Sequence, residues 1–308
     1  MQTDISIIVL NYCSLNETQN LVSQLVDMDD SSKIIIVDNC SPDDSYNLLI
    51  DRFGGYPNVS ILRNQHNTGY AAGNNVGIRY ALEELNSPYI AIMNPDVEIT
   101  EGFLRNMIEY LEADHNIAAI TGVMLDPYNS LNVALIACKI PSIIGDIFVC
   151  SELLKLIHNP IKYNKFSNHS PRISGIYYVD IIPGSCFVIR SSILKEIGLL
   201  DEGTFLYCEE RILAKKIKDM GLTNAISLRD TFIHKHTFEQ DLNERNIKQA
   251  LKHYYWLCAS RLYYNTHYRN LGKISFIFLP LIALSMLLGF TEVFFVRLFY
   301  KVRALAKS

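Results

Sequence analysis

Four short stretches hold side chains with the means to do chemistry. Asn94-Pro95-Asp96 closes an apolar run, so Asp96 stands at the end of a buried strand and off any solvated face. A single carboxylate there suits a hard divalent cation, Mg2+ or Mn2+, that keeps waters and takes further ligands from a diphosphate. Alone, Asn-Pro-Asp also reads as a turn signal. Asn67-Thr68-Gly69-Tyr70-Ala71-Ala72-Gly73-Asn74-Asn75 puts small residues at a loop-to-helix junction, where backbone N–H groups can approach a phosphate. A helix packed closely on a sheet explains the same glycines, and the dinucleotide fingerprint G-x-G-x-x-G is absent after the first strand. Glu209-Glu210 follow the aromatic approach Phe205-Leu206-Tyr207, where a partly desolvated carboxylate can take a proton from a hydroxyl. The plain alternative is two solvated glutamates in a helix's first turn. His234-Lys235-His236 sets two imidazoles on one side of a strand, either of which can complete the coordination of a cation, although such a pair alone is more often a surface feature.

These residues need elements to hold them. Residues 5–10 and 33–38 are continuous aliphatic runs, the pattern of strands buried on both faces of a parallel sheet. Helical patterns follow at 16–27 and, after Ser41-Pro42-Asp43-Asp44 as a capping signal, beyond residue 44. Strands are expected at 59–62 and 89–93, with a helix over 69–85 between them. This alternation is that of a doubly wound α/β fold, whose ligands bind beyond the carboxyl ends of the strands. Residues at those ends are Asn11, Asp38, Asn64 and Asn94-Pro95-Asp96. Further on, 117–123 reads as strand, 131–157 as short helices or a flap, 177–190 as strand and turn, and 208–220 as helix.

The 308 residues, 49% hydrophobic and 19% charged, describe a chain with a sizeable core and exclude disordered, collagen-like and coiled-coil classes. A net charge of −4 gives no reason to expect nucleic acid as partner. The charge is unevenly spread: residues 1–100 carry four Lys/Arg against thirteen Asp/Glu, and residues 241–308 ten against three. The basic tail predicts an anionic surface, foremost a membrane. Seven cysteines without C-x-x-C spacing indicate reduced thiols, and the N-terminal segment lacks the basic region of a signal peptide, so a cytosolic body is expected. Residues 246–262 place Ile247, Leu251, Tyr254, Tyr255, Cys258 and Leu262 on one helical stripe. Residues 274–291 are uncharged and mostly apolar, about 27 Å as a helix, at the lower limit for a bilayer crossing. Basic residues flank both ends, Arg269 and Lys273 before, Arg297, Lys301, Arg303 and Lys307 after, and Pro280 interrupts the middle. An in-plane or re-entrant anchor is expected over a clean span.

Taken in order, the motifs resemble the family 2 glycosyltransferases with the GT-A fold, especially the bacterial rhamnosyltransferase-like branch that builds surface polysaccharides. The resemblance covers residues 4–240. It runs through I-I-V-L-N-Y (7–12), V-D-N-C-S-P-D-D-S (37–45), N-T-G-Y-A-A-G-N-N-V-G-I (67–78) and M-N-P-D-V (93–97). It continues with G-S-C-F-V-I-R (184–190), I-G-L-L-D-E (197–202), F-L-Y-C-E-E (205–210) and His234.

The resemblance implies a Rossmann-like, mainly parallel mixed sheet as a catalytic domain over 1–240, with a helical membrane-associating region over 241–308. It implies transfer with inversion from a nucleoside-diphosphate sugar, dTDP-rhamnose by family weight, to a polyprenyl-linked saccharide of O-antigen or capsule synthesis, on the cytoplasmic face of the inner membrane. Asn11 and Asp38 would contact base and ribose, and the loop with Asn67, Gly69 and Asn74 the diphosphate. Asn94 and Asp96 occupy the D-x-D element, with Asp96 the retained ligand of a divalent metal, and His234, or His236 beside it, a second ligand. Glu210 would be the general base, with Glu209 its neighbour. Three departures stand out: Asn94 for the first Asp of D-x-D, Glu210 for the usual Asp, and Cys13 where many relatives have Asn. A non-catalytic membrane-bound assembly protein keeping the fold, or a sugar-phosphate nucleotidyltransferase, are the alternatives. The latter lacks its glycine-rich basic loop at residues 11–15.

Overall fold

The structure, a computed structural model, describes residues 4–28, 32–128, 130, 139–157, 175–235 and 246–305, with side chains through 296. The first half alternates as its sequence predicts. Strand β1 (Ile5–Asn11), helix α1 (Leu15–Asp27), β2 (Lys33–Asp38), α2 (Ser45–Phe53), β3 (Val59–Arg63), α3 (Tyr70–Glu83) and β4 (Tyr89–Met93) form the first unit. β1 pairs in parallel with both β2 and β4, and β2 with β3. The order therefore reverses at β1, which opens a crevice beyond the carboxyl ends of β1, β2 and β4.

The aliphatic runs are buried on both faces. Ile5, Ile7, Val9, Ile34 and Ile36 join one apolar layer with α1, α2 and α4 (Phe103–Ala113). Ile8, Ile35 and Val37 face the opposite layer, with α3. Alternate residues of a strand point to opposite faces, so helices are needed on both sides. Gly77 of α3 shows why that helix is rich in small residues, because a Cβ there would lie 2.8 Å from Ile8.

The second half extends the sheet in mixed directions. The short strand β5 (Val97–Ile99) precedes α4, and β6 (Ile117–Leu125) follows it. Helices α5 (Ile143–Val149) and α6 (Glu152–Ile157) precede β7 (Ile176–Val179) and β8 (Cys186–Arg190). Then come α7 (Ser191–Glu196), α8 (Glu209–Asp219) and β9 (Thr223–His234). The order is β3-β2-β1-β4-β8-β6-β9-β5, with β7 on β9. β8 runs antiparallel to β4 and β6. Neither the twelve-residue strand β9 nor the short β5 is evident in the sequence. β9 carries a register slip opposite β6: Gly122 pairs with Ser227 and Val123 with Thr231. The bulge lets the first part of β9 pair with β7 and the last part with β5, so that Val97 faces His234.

Two long helices follow, α9 (Ile247–His267) and α10 (Ser275–Leu305). A capping box opens α9: Asn246 Oδ1 accepts from the Gln249 N–H at 3.0 Å, and Gln249 Oε1 from the Asn246 N–H at 3.1 Å. Its buried residues are Ala250, Ser260, Tyr264 and Asn265, whereas Tyr255 and Leu262 of the expected stripe are 64% and 40% exposed. The cause is a polar partner. Asp146 of α5, wholly buried, accepts from Arg211 (2.6 Å), Arg269 (2.8 Å) and Asn265 (3.2 Å), which ties α5, α8 and the end of α9 together.

α10 lies along α9, α5 and α6. Tyr254 donates to the carbonyls of Cys150 (2.6 Å) and Met286 (3.1 Å), and Ser285 to that of Ile147. Glu292 accepts from the Ser151 hydroxyl at 2.6 Å and the Glu152 N–H at 2.7 Å, at the start of α6. Within residues 272–296 an 18-residue stretch reaches mean hydropathy 2.2, and the segment is long and apolar enough to cross a membrane by length and composition.

Candidate functional site

The polar residues of the crevice fall into two groups with different surroundings. At the ends of β1 and β2, Asn11 pairs in register with Asp38, and both side chains are completely buried. Asn11 donates to Asp38 at 2.8 Å and to Ser41 at 3.1 Å, and accepts from Thr18 at 2.9 Å. Asp38 also accepts from the Ser41 N–H at 3.2 Å, and Arg63 lies 3.7 Å from it. Register sets amide against carboxylate, so the two side chains that the resemblance assigns to base and ribose are hydrogen-bonded to each other.

Asn39, which the sequence did not single out, is the hub of the neighbouring loop. It donates to Asn67 and to the Gly69 carbonyl, both at 3.1 Å, and accepts from Asn64 at 2.9 Å. Asn67 also accepts from the Gly69 N–H at 3.0 Å, while the Tyr70 N–H donates to the Phe205 carbonyl at 2.9 Å. These amides are hydrogen-bonded within the protein. Gly69 has φ +94°, and a Cβ there would sit 2.2 Å from the Phe205 carbonyl oxygen, so only glycine fits the crossing. Asn74 is buried inside α3 and donates to the Tyr70 carbonyl at 2.9 Å, and its own carbonyl oxygen has no partner among the described residues.

The second group gathers where β4, β5, β8, β9 and α8 meet. Asn94 is half-buried; its N–H donates to the Ser185 carbonyl at 2.8 Å and its carbonyl accepts from Val97 at 3.2 Å. The Asn-Pro-Asp segment is thus a turn, and the turn delivers Asp96. The antiparallel pairing of β5 with β9 brings His234 Nε2 to 3.2 Å from Asp96 Oδ2, and the Lys235 N–H donates to the Asp96 carbonyl at 2.9 Å. Both side chains keep some exposure, 13% for Asp96 and 22% for His234. β9 ends at His234, and His236 lies outside the described residues.

Glu209 and Glu210 open α8 behind a turn in which Tyr207 and Cys208 both have left-handed φ, 75° and 67°. Glu210 packs against Gly184, where an added Cβ would meet its carboxylate at 2.9 Å. Burial raises the Glu210 carboxyl above the ordinary range, opposed in part by the backbone N–H groups of Glu210 and Gly184 and by Arg211. Glu209 is the less exposed of the two and is raised by burial and by the charge of Glu210, and its Oε1 has no partner among the described residues. Two carboxylates side by side in low dielectric do not both ionise easily, so the pair holds a proton into the neutral range.

Tyr70 links the two halves of this second group, a role the sequence alone does not show. Its hydroxyl donates to the Gly184 carbonyl at 2.6 Å. Burial, then the charges of Glu210, Glu209, Cys186 and Asp96, push its phenol well up. The signal for it is its place inside the N-T-G-Y-A-A-G run, but only the 114-residue contact to Gly184 reveals what it does.

Asp96 and His234 have the chemistry to share a divalent cation: a hard carboxylate, an imidazole, and partial exposure. Among the described residues no three His, Cys, Asp or Glu form a self-sufficient cage. The pair therefore fits a cation that takes its remaining ligands from a diphosphate and water, the kind of site the sequence anticipates.

A mixed, mostly parallel sheet flanked by helices, with acidic residues at its carboxyl edge, is the GT-A architecture. Solved structures bear this out. A mannosyltransferase from Pyrobaculum calidifontis, determined with GDP-Man and Mn2+, superposes with TM-score 0.58 at 12% identity, over 100% of this chain and 76% of that one. GalNAc-T7, determined with UDP, GalNAc and Mn2+, gives TM-score 0.57 at 12% identity, over 77% of this chain and 45% of that one.

The sequence profile of glycosyl transferase family 2 matches residues 6–198, and the chain belongs to that family. It is 30% identical over 210 residues to the low-salt glycan biosynthesis hexosyltransferase Agl10 of Haloferax volcanii, a match over 68% of this chain and 60% of that protein's length. It is 25% identical over 217 residues to the rhamnosyltransferase WbbL of Escherichia coli K12, over 69% of this chain and 77% of WbbL.

Proposed function

We propose that this protein transfers a sugar from a nucleoside-diphosphate sugar to a hydroxyl of a lipid-linked saccharide, with inversion at the anomeric carbon. The carrying observation is the convergence of Asp96–His234 and Glu210 on one edge of the sheet, linked through the Asn94–Ser185 contact, Gly184 and Tyr70. In this reading ionised Glu210 accepts the proton of the attacking hydroxyl as it adds opposite the leaving diphosphate. Burial makes Glu210 a stronger base than a solvated carboxylate, and the Gly184 contact fixes its direction. Asp96 and His234 would hold Mg2+ or Mn2+; when bound, such a cation neutralises charge developing on the diphosphate. The Asn11–Asp38 pair and the Asn39 hub keep the nucleotide end of the crevice rigid.

The donor we favour is dTDP-rhamnose, in line with the rhamnosyltransferase WbbL, and the acceptor a polyprenyl-linked saccharide of O-antigen or capsule assembly. The work site is the cytoplasmic face of the inner membrane, with residues 241–308 as the membrane-associating region and 1–240 as the catalytic domain. Support comes from the outward side of α10, where Phe276, Ile277, Leu284, Leu287 and Phe295 are 85%, 62%, 54%, 60% and 64% exposed. Leu153, Leu156 and Ile157 of α6 extend that apolar surface. Because α10 is bonded to the body at Ser285, Met286 and Glu292, an in-plane or re-entrant attachment fits better than a free crossing.

The test uses full-length protein in detergent with a membrane extract as acceptor source, supplied in turn with dTDP-, UDP- and GDP-sugars with or without Mn2+ or Mg2+. Metal-dependent transfer from one nucleotide class, lost in Asp96→Ala and Glu210→Gln, is the expected result. Full transfer by both variants would sink the assignment.

A further inference from the structure

The turn that precedes the two carboxylates is held from outside the sheet. Tyr207 and Cys208 sit in left-handed backbone, which is strained for a non-glycine residue and persists only where the surroundings enforce it. On one side the Phe205 carbonyl is gripped by the Tyr70 N–H. On the other, three side chains of α9 reach successive residues of the turn. Trp256 stacks on Phe205 with ring centres 4.6 Å apart and planes at 26°. The buried Ser260 hydroxyl donates to the Leu206 carbonyl at 2.8 Å. His253 Nδ1 lies 3.0 Å from the Tyr207 hydroxyl, and its ring meets Trp256 edge-on at 4.9 Å.

We infer that His253, Trp256 and Ser260 are positioning residues, which clamp residues 205–207 so that α8 begins with Glu210 set against Gly184. This rests on the reading of Glu210 as the base. Helix α9 then belongs to the catalytic apparatus as well as to the C-terminal region, and its aromatic and histidine side chains act through the turn. Among the described residues, the donor end of the crevice is held by its own hydrogen bonds, those of the Asn11–Asp38 pair and the Asn39 hub.

The experiment compares kcat, KM for the donor and donor-nucleotide affinity in full-length wild type, His253→Ala, His253→Asn, Ser260→Ala and Tyr207→Phe. In His253→Asn the introduced side-chain amide offers a hydrogen-bonding atom near the place of Nδ1. Expected is a fall in kcat of about tenfold or more in His253→Ala, Ser260→Ala and Tyr207→Phe, with KM near wild type and recovery in His253→Asn. Calorimetric binding of the nucleoside diphosphate with Mn2+, unchanged in the variants, separates misplacement from unfolding. Wild-type kcat in all the variants overturns the proposal, as does a loss of kcat that only follows lost nucleotide binding. A wild-type protein that binds nucleotide but transfers no sugar overturns the reading of Glu210 itself, and the clamp falls with it.

Discussion

Glu209 and Glu210 are neighbours with different tasks, and the difference lies in their surroundings. Glu210 has Gly184 and the crevice; Glu209 has a buried oxygen without a partner among the described residues. Because the Glu209 carboxyl is raised on folding, the folded chain binds more protons than the unfolded one above the ordinary carboxyl range, from about pH 4.5 upward. Its burial therefore costs little in acid and destabilises the fold progressively as pH rises through the neutral range. Glu209→Gln removes that cost. The variant is expected to melt higher than wild type at pH 8 but near it at pH 5, by scanning calorimetry.

Asp96, His234, Glu209 and Glu210 are marked in the sequence only by the order and spacing of the whole motif series, because each taken alone reads equally as a turn, a helix's first turn or a surface pair. Asn11 and Asp38 were legible as strand ends, but that they hydrogen-bond each other depends on the β1–β2 register. Tyr70 and Asn39 were hidden for a related reason: their partners lie 114 and 28 residues away.

Among the elements, the two strand-end loops and the α5–α8–α9 junction decide the site's rigidity. Gly69→Ala puts a Cβ onto the Phe205 carbonyl in a left-handed backbone. Urea unfolding should show a loss of about 2 kcal/mol or more, and sugar transfer should fall with it because the same crossing holds the turn before Glu209. Asp146→Ala leaves Arg211 and Arg269 buried, with side-chain exposures of 12% and 15%, and without their shared carboxylate. A loss of about 3–5 kcal/mol is expected from the same measurement.

Element types in the first hundred residues followed from periodicity, since fully buried parallel strands and flanking helices leave strong patterns. β5 has three residues and β9 a bulge, so neither presents a clean period of two. The buried face of α9 departs from its apolar stripe because its partners are Asp146 and a strained turn. Small and polar residues are thus buried while Tyr255 and Leu262 look outward.

At the scale of the whole molecule, acidic crevice and basic, apolar tail lie in one chain. Vesicle flotation should show binding to anionic vesicles that weakens as salt rises and weakens further in Phe276→Ser/Ile277→Ser/Phe295→Ser. No flotation of the wild-type protein with anionic vesicles, even at low salt, would remove the membrane from the proposed function.

One detail bears on how such a protein meets a surface. Glu292 is the only acidic residue between 272 and 296, and it is committed to the start of α6. With Tyr254 bonded to the carbonyl of Met286, about a turn and a half earlier, it keys α10 against rolling about its own axis. A keyed helix has one keel and one deck. On the membrane attachment proposed above, the protein would settle on a bilayer the same way up each time, with the mouth of the crevice at a constant height and tilt over the headgroups. Its search for an acceptor anchored in the same sheet of lipid would then be a search in two dimensions.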